Sequence, residues 1–161
     1  MQPTVDIASV RTDTPLGPVV LRASGRGITS LSFSADATET ASDNPHLSLA
    51  VQELKEYFAG SRKQFEVSLD LQGSDFQKRV WTSLLRIPFG QTTTYGQQAR
   101  VLGDPRAVRA VASANGANPV AIVVPCHRVI GSNGRLTGYA GGLERKRWLL
   151  EFEQKNSGLY L

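Results

Sequence analysis

Cysteine is almost missing from this 161-residue chain, which has one, Cys126, beside two histidines, His46 and His127, and a single methionine. One thiol closes no internal disulfide, and one thiol with two imidazoles falls short of a Cys/His zinc site, so no metal is expected. Long apolar runs are missing as well: no window approaches the roughly 18 uninterrupted apolar residues of a membrane span. The opening MQPTVDIASV lacks the basic-then-apolar order of a signal peptide. The expectation is a cytoplasmic chain with no membrane partner. Internal repeats and low-complexity tracts are also absent. What is there, 40% hydrophobic and 20% charged residues, suits a globular chain with room for one or two small cores.

Charge is unevenly spread. Residues 1–72 hold 6 Lys/Arg and 9 Asp/Glu, net −3, whereas residues 73–161 hold 12 and 5, net +7. The asymmetry points to an acidic N-terminal unit joined to a basic unit that meets a polyanion, nucleic acid first; a solvated basic face with no partner is the alternative.

The periodicity follows the same division. Val5–Thr12, Val19–Ser24 and Ile28–Ser34 alternate apolar and polar, with turn signals at Pro15–Gly17 and Gly25–Gly27, which predicts a small antiparallel meander. Asp36–Pro45 reads as a polar loop. Leu47, Val51, Leu54 and Phe58 recur at helical spacing before Gly60, and Phe65, Val67, Leu69 and Leu71 alternate as a strand or extended segment. Gly73 marks a boundary, because Ser74 and Gln77 have the spacing of a capping box opening an amphipathic run that Pro88 ends. Two short helices follow, Tyr95–Leu102 and Arg106–Asn115, separated by Gly103-Asp104-Pro105 with Asp104 as N-cap. That is the layout of a helix-turn-helix. Val120–Val124 reads as a short apolar β-like run, and a Gly-rich stretch, Gly131–Gly142, leads into a last helix, Leu143–Gln154, with Trp148, Leu149 and Phe152 as its apolar face. The fold class expected is α/β (α+β): a small N-terminal antiparallel sheet with a helix over 1–72, then a mostly helical C-terminal domain over 73–161 containing the helix-turn-helix.

The second helix of that pair, rich in Ala and Ser with Arg106 and Arg109, suits close approach of its backbone to DNA, or equally close packing against a neighbouring helix. Pro125-Cys126-His127-Arg128 is the stretch that bears on chemistry. A thiol is a strong nucleophile only as thiolate, so a reactive Cys needs a base or a positive charge nearby, and both types adjoin Cys126. Adjacent residues of an extended segment point to different sides, so a Cys126–His127 contact calls for a bridging water. Taken alone, a Cys-His pair is as compatible with a buried thiol beside an incidental His.

These residues do not stand alone. Asn118-Pro119, Pro125-Cys126-His127-Arg128-Val129, Gly138-Tyr139, Gly141-Gly142, and Leu149-Leu150 followed by Glu153, together with Thr94-Tyr95 and Arg109-Ala110-Val111, resemble the active-site region of the O6-alkylguanine-DNA alkyltransferases, or methylated-DNA–protein-cysteine methyltransferases. The resemblance runs from about Phe76 through Glu153. It implies stoichiometric repair: an O6-alkylguanine, or O4-alkylthymine, is flipped out of duplex DNA bound through the minor groove, and its alkyl group passes irreversibly to one cysteine. No cofactor takes part.

By matching motif position, the resemblance makes Cys126 the acceptor, His127 the base acting through a water, Glu153 its orienting carboxylate and Tyr95 the proton donor to the departing guanine. Arg109 becomes the finger that replaces the flipped nucleotide, with Thr94, Arg106, Ala110, Ser113 and Arg128 at the DNA. Val129, Tyr139, Ala140 and Gly141 would line the base pocket, and Asn118 would be a structural hinge. Two positions depart from the pattern: Ala140 stands where some members carry Ser, and Asn115 where many have an apolar or small residue. The implied partner is double-stranded DNA containing alkylated guanine, met by a monomer, with cooperative assembly on DNA left open. Rival readings are separable. A plain helix-turn-helix regulator leaves Pro-Cys-His-Arg and Glu153 unexplained, a non-catalytic damage binder would lack Cys126, and a Cys-His-Glu thiol hydrolase would turn over repeatedly.

Overall fold

The computed structural model describes residues 7–34 and 43–158. The chain divides into two compact units, residues 1–72 and 73–161.

In the first unit, β1 (Ala8–Thr14), β2 (Gly17–Ala23) and β3 (Ile28–Phe33) form an antiparallel sheet in the order β1-β2-β3. Thr14 faces Gly17 across the first turn, where Gly17 takes a φ of 106°. The expected strand Val5–Thr12 is thus shifted toward the turn, and its first two residues lie outside the described residues, as do residues 36–42 of the expected polar loop. Val19, Val20 and Leu21 of the central strand are all buried, a continuous apolar run that covers both faces of β2 before Arg22 turns to solvent. Helix α1 (Pro45–Phe58) starts two residues before its apolar spacing does, because the Asn44 side chain caps the amides of His46 and Leu47 and Pro45 occupies the first turn. It lays Leu47, Ala50, Leu54 and Tyr57 against the sheet.

The alternating segment Phe65–Leu71 forms no continuous strand. It pairs with the sheet through the parallel bridge of Leu69 to Ile28, and the buried carboxylate of Glu53 takes the amides of Glu66 and Val67 at 3.0–3.1 Å. A side chain thus satisfies backbone donors that a ladder would otherwise have held.

In the second unit, α2 (Asp75–Leu84) opens on the reciprocal capping box of Ser74 and Gln77. A two-residue strand β4 (Thr93–Thr94) leads into α3 (Tyr95–Val101), and a turn leads to α4 (Val108–Gly116). Here the structure corrects the expected helix Arg106–Asn115. Asp104 caps a turn instead, accepting from the Arg106 amide at 3.2 Å, and the helix begins at Val108 without a side-chain cap. Between α3 and α4 the carboxamides of Gln98 and Asn115, both buried, exchange two hydrogen bonds of 3.0 and 2.7 Å. Trp81 of α2 donates to the Ala114 carbonyl at 2.8 Å.

Val120–Val124 is not a strand. Residues 121–124 turn tightly, with Ile122 in the left-handed region at φ 72°, and the whole run is buried. A 3-10 turn over Cys126–Arg128 and the strand β5 (Val129–Ile130) follow, and α5 (Leu143–Asn156) ends the unit. The fully buried line of α5 is Lys146, Leu149 and Glu153 rather than the expected Trp148, Leu149 and Phe152. Trp148 and Phe152 stack half-buried, with ring centroids 5.0 Å apart.

Candidate active site

The smallest sheet in the molecule assembles the site. β4 and β5 pair in parallel, Thr93 opposite Val129 and Thr94 opposite Ile130. Tyr95 follows β4 directly and Cys126-His127-Arg128 precedes β5 directly, so two residues of pairing bring together side chains far apart in sequence.

Asn118 shapes the turn that carries the thiol. Its Oδ1 accepts from the Val120 amide at 3.0 Å, and its Nδ2 donates to the Val124 carbonyl at 2.7 Å and to Cys126 Sγ at 3.2 Å. One carboxamide therefore closes the tight turn and places a donor on the sulfur. Burial pushes the Cys126 thiol up from its ordinary value, against the pull of the Asn118 bond and the Lys146 charge. At neutral pH the sulfur holds its proton, so its activation calls for a base.

His127 is fully buried, and its Nε2 lies 2.7 Å from Glu153 Oε2. Burial lowers the imidazole's pKa, the Glu153 bond and charge opposing it and the Arg128 and Lys146 charges adding to it. Burial alone would raise Glu153, but the bonds and charges of His127 and Arg128 outweigh it and hold the carboxyl well below the usual carboxylate range. A neutral ring beside a carboxylate carries its proton on Nε2, which leaves the Nδ1 lone pair as the acceptor. That Nδ1 is buried and has no hydrogen-bond partner among the described residues. No hydrogen bond joins Cys126 directly to His127 among them.

Arg128 departs from its expected place at the DNA. It is buried, with Nε and Nη2 donating to Glu153 at 2.8 and 2.9 Å and Nη1 donating to the Ile87 carbonyl at 2.6 Å. A guanidinium so committed does not reach a phosphate. Its charge offsets that of Glu153 and its two bonds fix the carboxylate, which also accepts from the Gly90 amide at 3.3 Å.

The remaining residues distribute by surface. Arg109, Ala110 and Ser113 form an exposed stripe on α4, and Arg106 is exposed in the preceding turn. The Thr94 hydroxyl is engaged as the N-cap of α3, accepting from the Gln97 amide at 3.1 Å. Asn115, on the opposite side of α4, takes part in the buried pair with Gln98. Val129 is fully buried, Ala140 is exposed, and Tyr139 is half-buried with a hydroxyl that has no partner among the described residues. Burial, with the Cys126 charge adding to it, pushes the Tyr139 phenol up, so it stays protonated. Gly138 and Gly142 flank this stretch at φ 39° and 92°, and the Gly142 amide donates to the Tyr139 carbonyl at 2.9 Å.

Lys146 went unnoticed in the sequence. Its side chain is fully buried on the line that carries Glu153, and its ammonium donates to the Thr137 carbonyl at 2.7 Å and lies 5.8 Å from the Tyr95 ring centroid. The signal was available: a lysine at helical spacing from Leu149 and Glu153 falls on the inward stripe of the last helix. One face of α5 thus supplies an anion to His127 and a cation to Cys126 and Tyr95. No group of three His, Cys, Asp or Glu residues that would hold a metal ion occurs among the described residues.

Comparison with known proteins bears on both units. Residues 75–155 match the family model of the 6-O-methylguanine DNA methyltransferase DNA binding domain, and residues 10–71 match that of its ribonuclease-like domain. A methylated-DNA–protein-cysteine methyltransferase of Mycobacterium bovis is 49% identical over 150 residues, which cover 90% of this chain and 91% of that one. Another, from Methanosarcina acetivorans, is 44% identical over 147 residues, 88% and 94% of the two chains. Among solved structures, the O6-methylguanine methyltransferase of Mycobacterium tuberculosis has a TM-score of 0.86 at 46% identity, covering 96% of this chain and 97% of that one. The OGT of the same organism in complex with DNA has a TM-score of 0.84 at 49% identity, covering 92% and 93%.

Proposed function

The chain belongs to the 6-O-methylguanine DNA methyltransferase family, and from that premise we propose how its residues divide the work. It is a methylated-DNA–protein-cysteine methyltransferase in activity: it binds DNA and repairs it by moving an alkyl group onto cysteine, of which it has one. The substrate is an O6-alkylguanine, or an O4-alkylthymine, in duplex DNA, and each molecule acts once.

The observation that carries the mechanism is the Glu153–His127 hydrogen bond of 2.7 Å, which orients a ring that burial keeps neutral and leaves its Nδ1 lone pair unengaged. The Cys126 proton passes through a water to Nδ1, and the imidazolium formed is stabilised by Glu153. The thiolate attacks the alkyl carbon, forming the S–C bond as the C–O6 bond breaks and its electron pair moves into the guanine. Tyr95 gives the departing base a proton. The imidazolium and the phenolate return to neutrality through solvent, leaving S-alkylcysteine and an unmodified base. Asn118 holds the sulfur in the turn, Tyr139, Ala140, Gly141 and the Val129 backbone surround the base, and Arg128 acts through Glu153.

The exposed stripe of Arg109, Ala110 and Ser113 supports minor-groove docking of α4, since its small residues let the helix backbone approach and Arg109 is free to enter the stack. Arg106 and Thr94 flank that contact. Flipping the damaged base with Arg109 in its place gives the buried thiol access to an atom that the duplex hides. In this reading the protein meets DNA as a monomer and works in the cytoplasm. No helix among the described residues is long and apolar enough to cross a membrane.

The test is the intact mass of the protein before and after incubation with duplex DNA carrying O6-methylguanine. The expected result is a gain of one methyl group per molecule, located on Cys126 and abolished by Cys126→Ala. Continued turnover, or label that survives Cys126→Ala, would refute the assignment.

A further inference from the structure

Three bonds converge on Thr137, a loop residue that no motif picks out. Its carbonyl oxygen accepts from Lys146 Nζ at 2.7 Å and from Tyr95 Oη at 3.3 Å, and its own hydroxyl lies 3.2 Å from the same phenol oxygen, donating to it. The Lys146 ammonium that anchors this carbonyl has a fully buried side chain and lies 5.8 Å from the Tyr95 ring centroid. Among the described residues the ammonium has no other hydrogen-bond acceptor, so its charge is directed at this one peptide group.

We propose that Thr137 is a positioning residue for alkyl transfer: its hydroxyl, held in place by the bond from Lys146 to its carbonyl, orients the Tyr95 phenol and stabilises the phenolate that forms. The inference rests on the reading of Tyr95 as proton donor to the departing base.

The hydrogen-bond pattern supports this role. In the free protein Tyr95 donates to the Thr137 carbonyl while accepting from the Thr137 hydroxyl. A flipped base need only replace the carbonyl as acceptor, because the second bond can persist through the transfer. Thr137 is itself exposed, so this exchange takes place at a surface that the bound duplex would cover and dry. A hydrogen bond received by an oxygen that is becoming an anion strengthens as charge develops, which is the condition for lowering a barrier rather than only binding substrate. Proton and charge balance: Tyr95 loses its proton to the base, Thr137 keeps its own, and the bond from Thr137 to oxygen shortens around the negative charge. Lys146 keeps its bond to the carbonyl, which keeps residue 137 from following the phenol.

The experiment compares single-turnover rates on O6-methylguanine duplex and on free O6-benzylguanine for the full-length protein and its variants Thr137→Val, Thr137→Ser, Tyr95→Phe and Tyr95→Phe/Thr137→Val. Iodoacetamide alkylation of Cys126 reports the thiol independently of Tyr95. Losing one hydrogen bond to a developing charge predicts roughly a tenfold or greater slowing in Thr137→Val on both substrates. Thr137→Ser recovers most of the rate, iodoacetamide alkylation stays at the wild-type rate, and the double variant is no slower than Tyr95→Phe. A wild-type rate in Thr137→Val beside a slowed Tyr95→Phe overturns the role of Thr137 alone. A wild-type rate in Tyr95→Phe overturns the donor reading and this inference with it. Multiplying losses in the double variant, or a matching loss in iodoacetamide alkylation, places Thr137 in the fold or the thiol's surroundings instead and equally overturns the proposal.

Discussion

Replacing Arg128 by Met separates two accounts of that residue. Its guanidinium makes two bonds to Glu153 and one to the Ile87 carbonyl, and the two side chains are 8% and 1% exposed. Met fills much of the same volume without the charge, which leaves Glu153 buried with His127 and the Gly90 amide as its remaining donors in this site. Removing one partner of a buried ion pair costs about 3–5 kcal/mol, a large share of the roughly 5–15 kcal/mol that stabilises an ordinary domain. For a unit of this size each kcal/mol shifts Tm by about 4–8 °C. The expected Arg128→Met protein unfolds far below the wild type in urea and on heating. Adding Glu153→Gln recovers part of the loss, because the uncompensated carboxylate is gone. The folded fraction at low temperature binds duplex DNA with unchanged affinity and unchanged salt slope. The opposite account, a phosphate contact, predicts intact stability and a salt slope smaller by about one. Wild-type stability combined with that smaller slope would refute the burial argument.

Three further outcomes are expected. Arg109→Ala weakens duplex binding and slows duplex repair while leaving the rate on free O6-benzylguanine near that of the wild type; equal losses on both substrates, measured in parallel, would remove the finger. Asn115→Ala leaves the buried Gln98 carboxamide without its partner and costs about 1–3 kcal/mol of stability in denaturant unfolding; Gln98→Leu/Asn115→Leu, which removes both carboxamides, costs less than that if the reasoning holds. Acid lowers stability in two stages. The folded His127 pKa lies below 6.5, so as pH falls through about 6.5 the unfolded chain takes up a proton that the folded one refuses, with a slope of at most about 1.4 kcal/mol per pH unit. The folded Glu153 pKa is depressed, so its contribution is fully present above about 4.3 and is lost only as pH falls toward the lower folded value. Urea unfolding from pH 7.5 down to about 2.5 spans both, and a flat profile between pH 7 and 5.5 would contradict the buried neutral imidazole.

Much of this molecule was legible from local rules. The capping box at Ser74 and Gln77, the meander and the helices before Gly60 and after Gly142 follow from spacing alone, because each is decided by residues within a turn or two of one another. The misread parts depend on contacts from elsewhere. Val120–Val124 has the composition of a strand, but Asn118 supplies the bonds that a neighbouring strand would have supplied and the run folds into a buried turn. Asp104 has the type and place of an N-cap, yet its carboxylate is spent on the Arg106 amide of a preceding turn. At the site, Cys126, His127 and Glu153 come forward through motif resemblance. Arg128 is misplaced and Lys146 passed over because basic residues are ordinarily exposed, although the helical spacing of Lys146, Leu149 and Glu153 already marks an inward face that carries charge.

The Glu153 carboxylate accepts from at least four donors of three residues on two stretches of chain: His127 Nε2, Arg128 Nε and Nη2, and the Gly90 amide. For a lineage evolving by single substitutions, such a hub is a ratchet. A change at Glu153 strands a buried guanidinium and a misoriented base in the same step, and a change at either partner strands the carboxylate, so each route away passes through a poorly folded intermediate. Drift is therefore free to rewrite α1 or the loop surfaces while this triad moves only as a block, and a damage-binding descendant that abandons the chemistry would lose the acceptor thiol more easily than it would lose the carboxylate behind it.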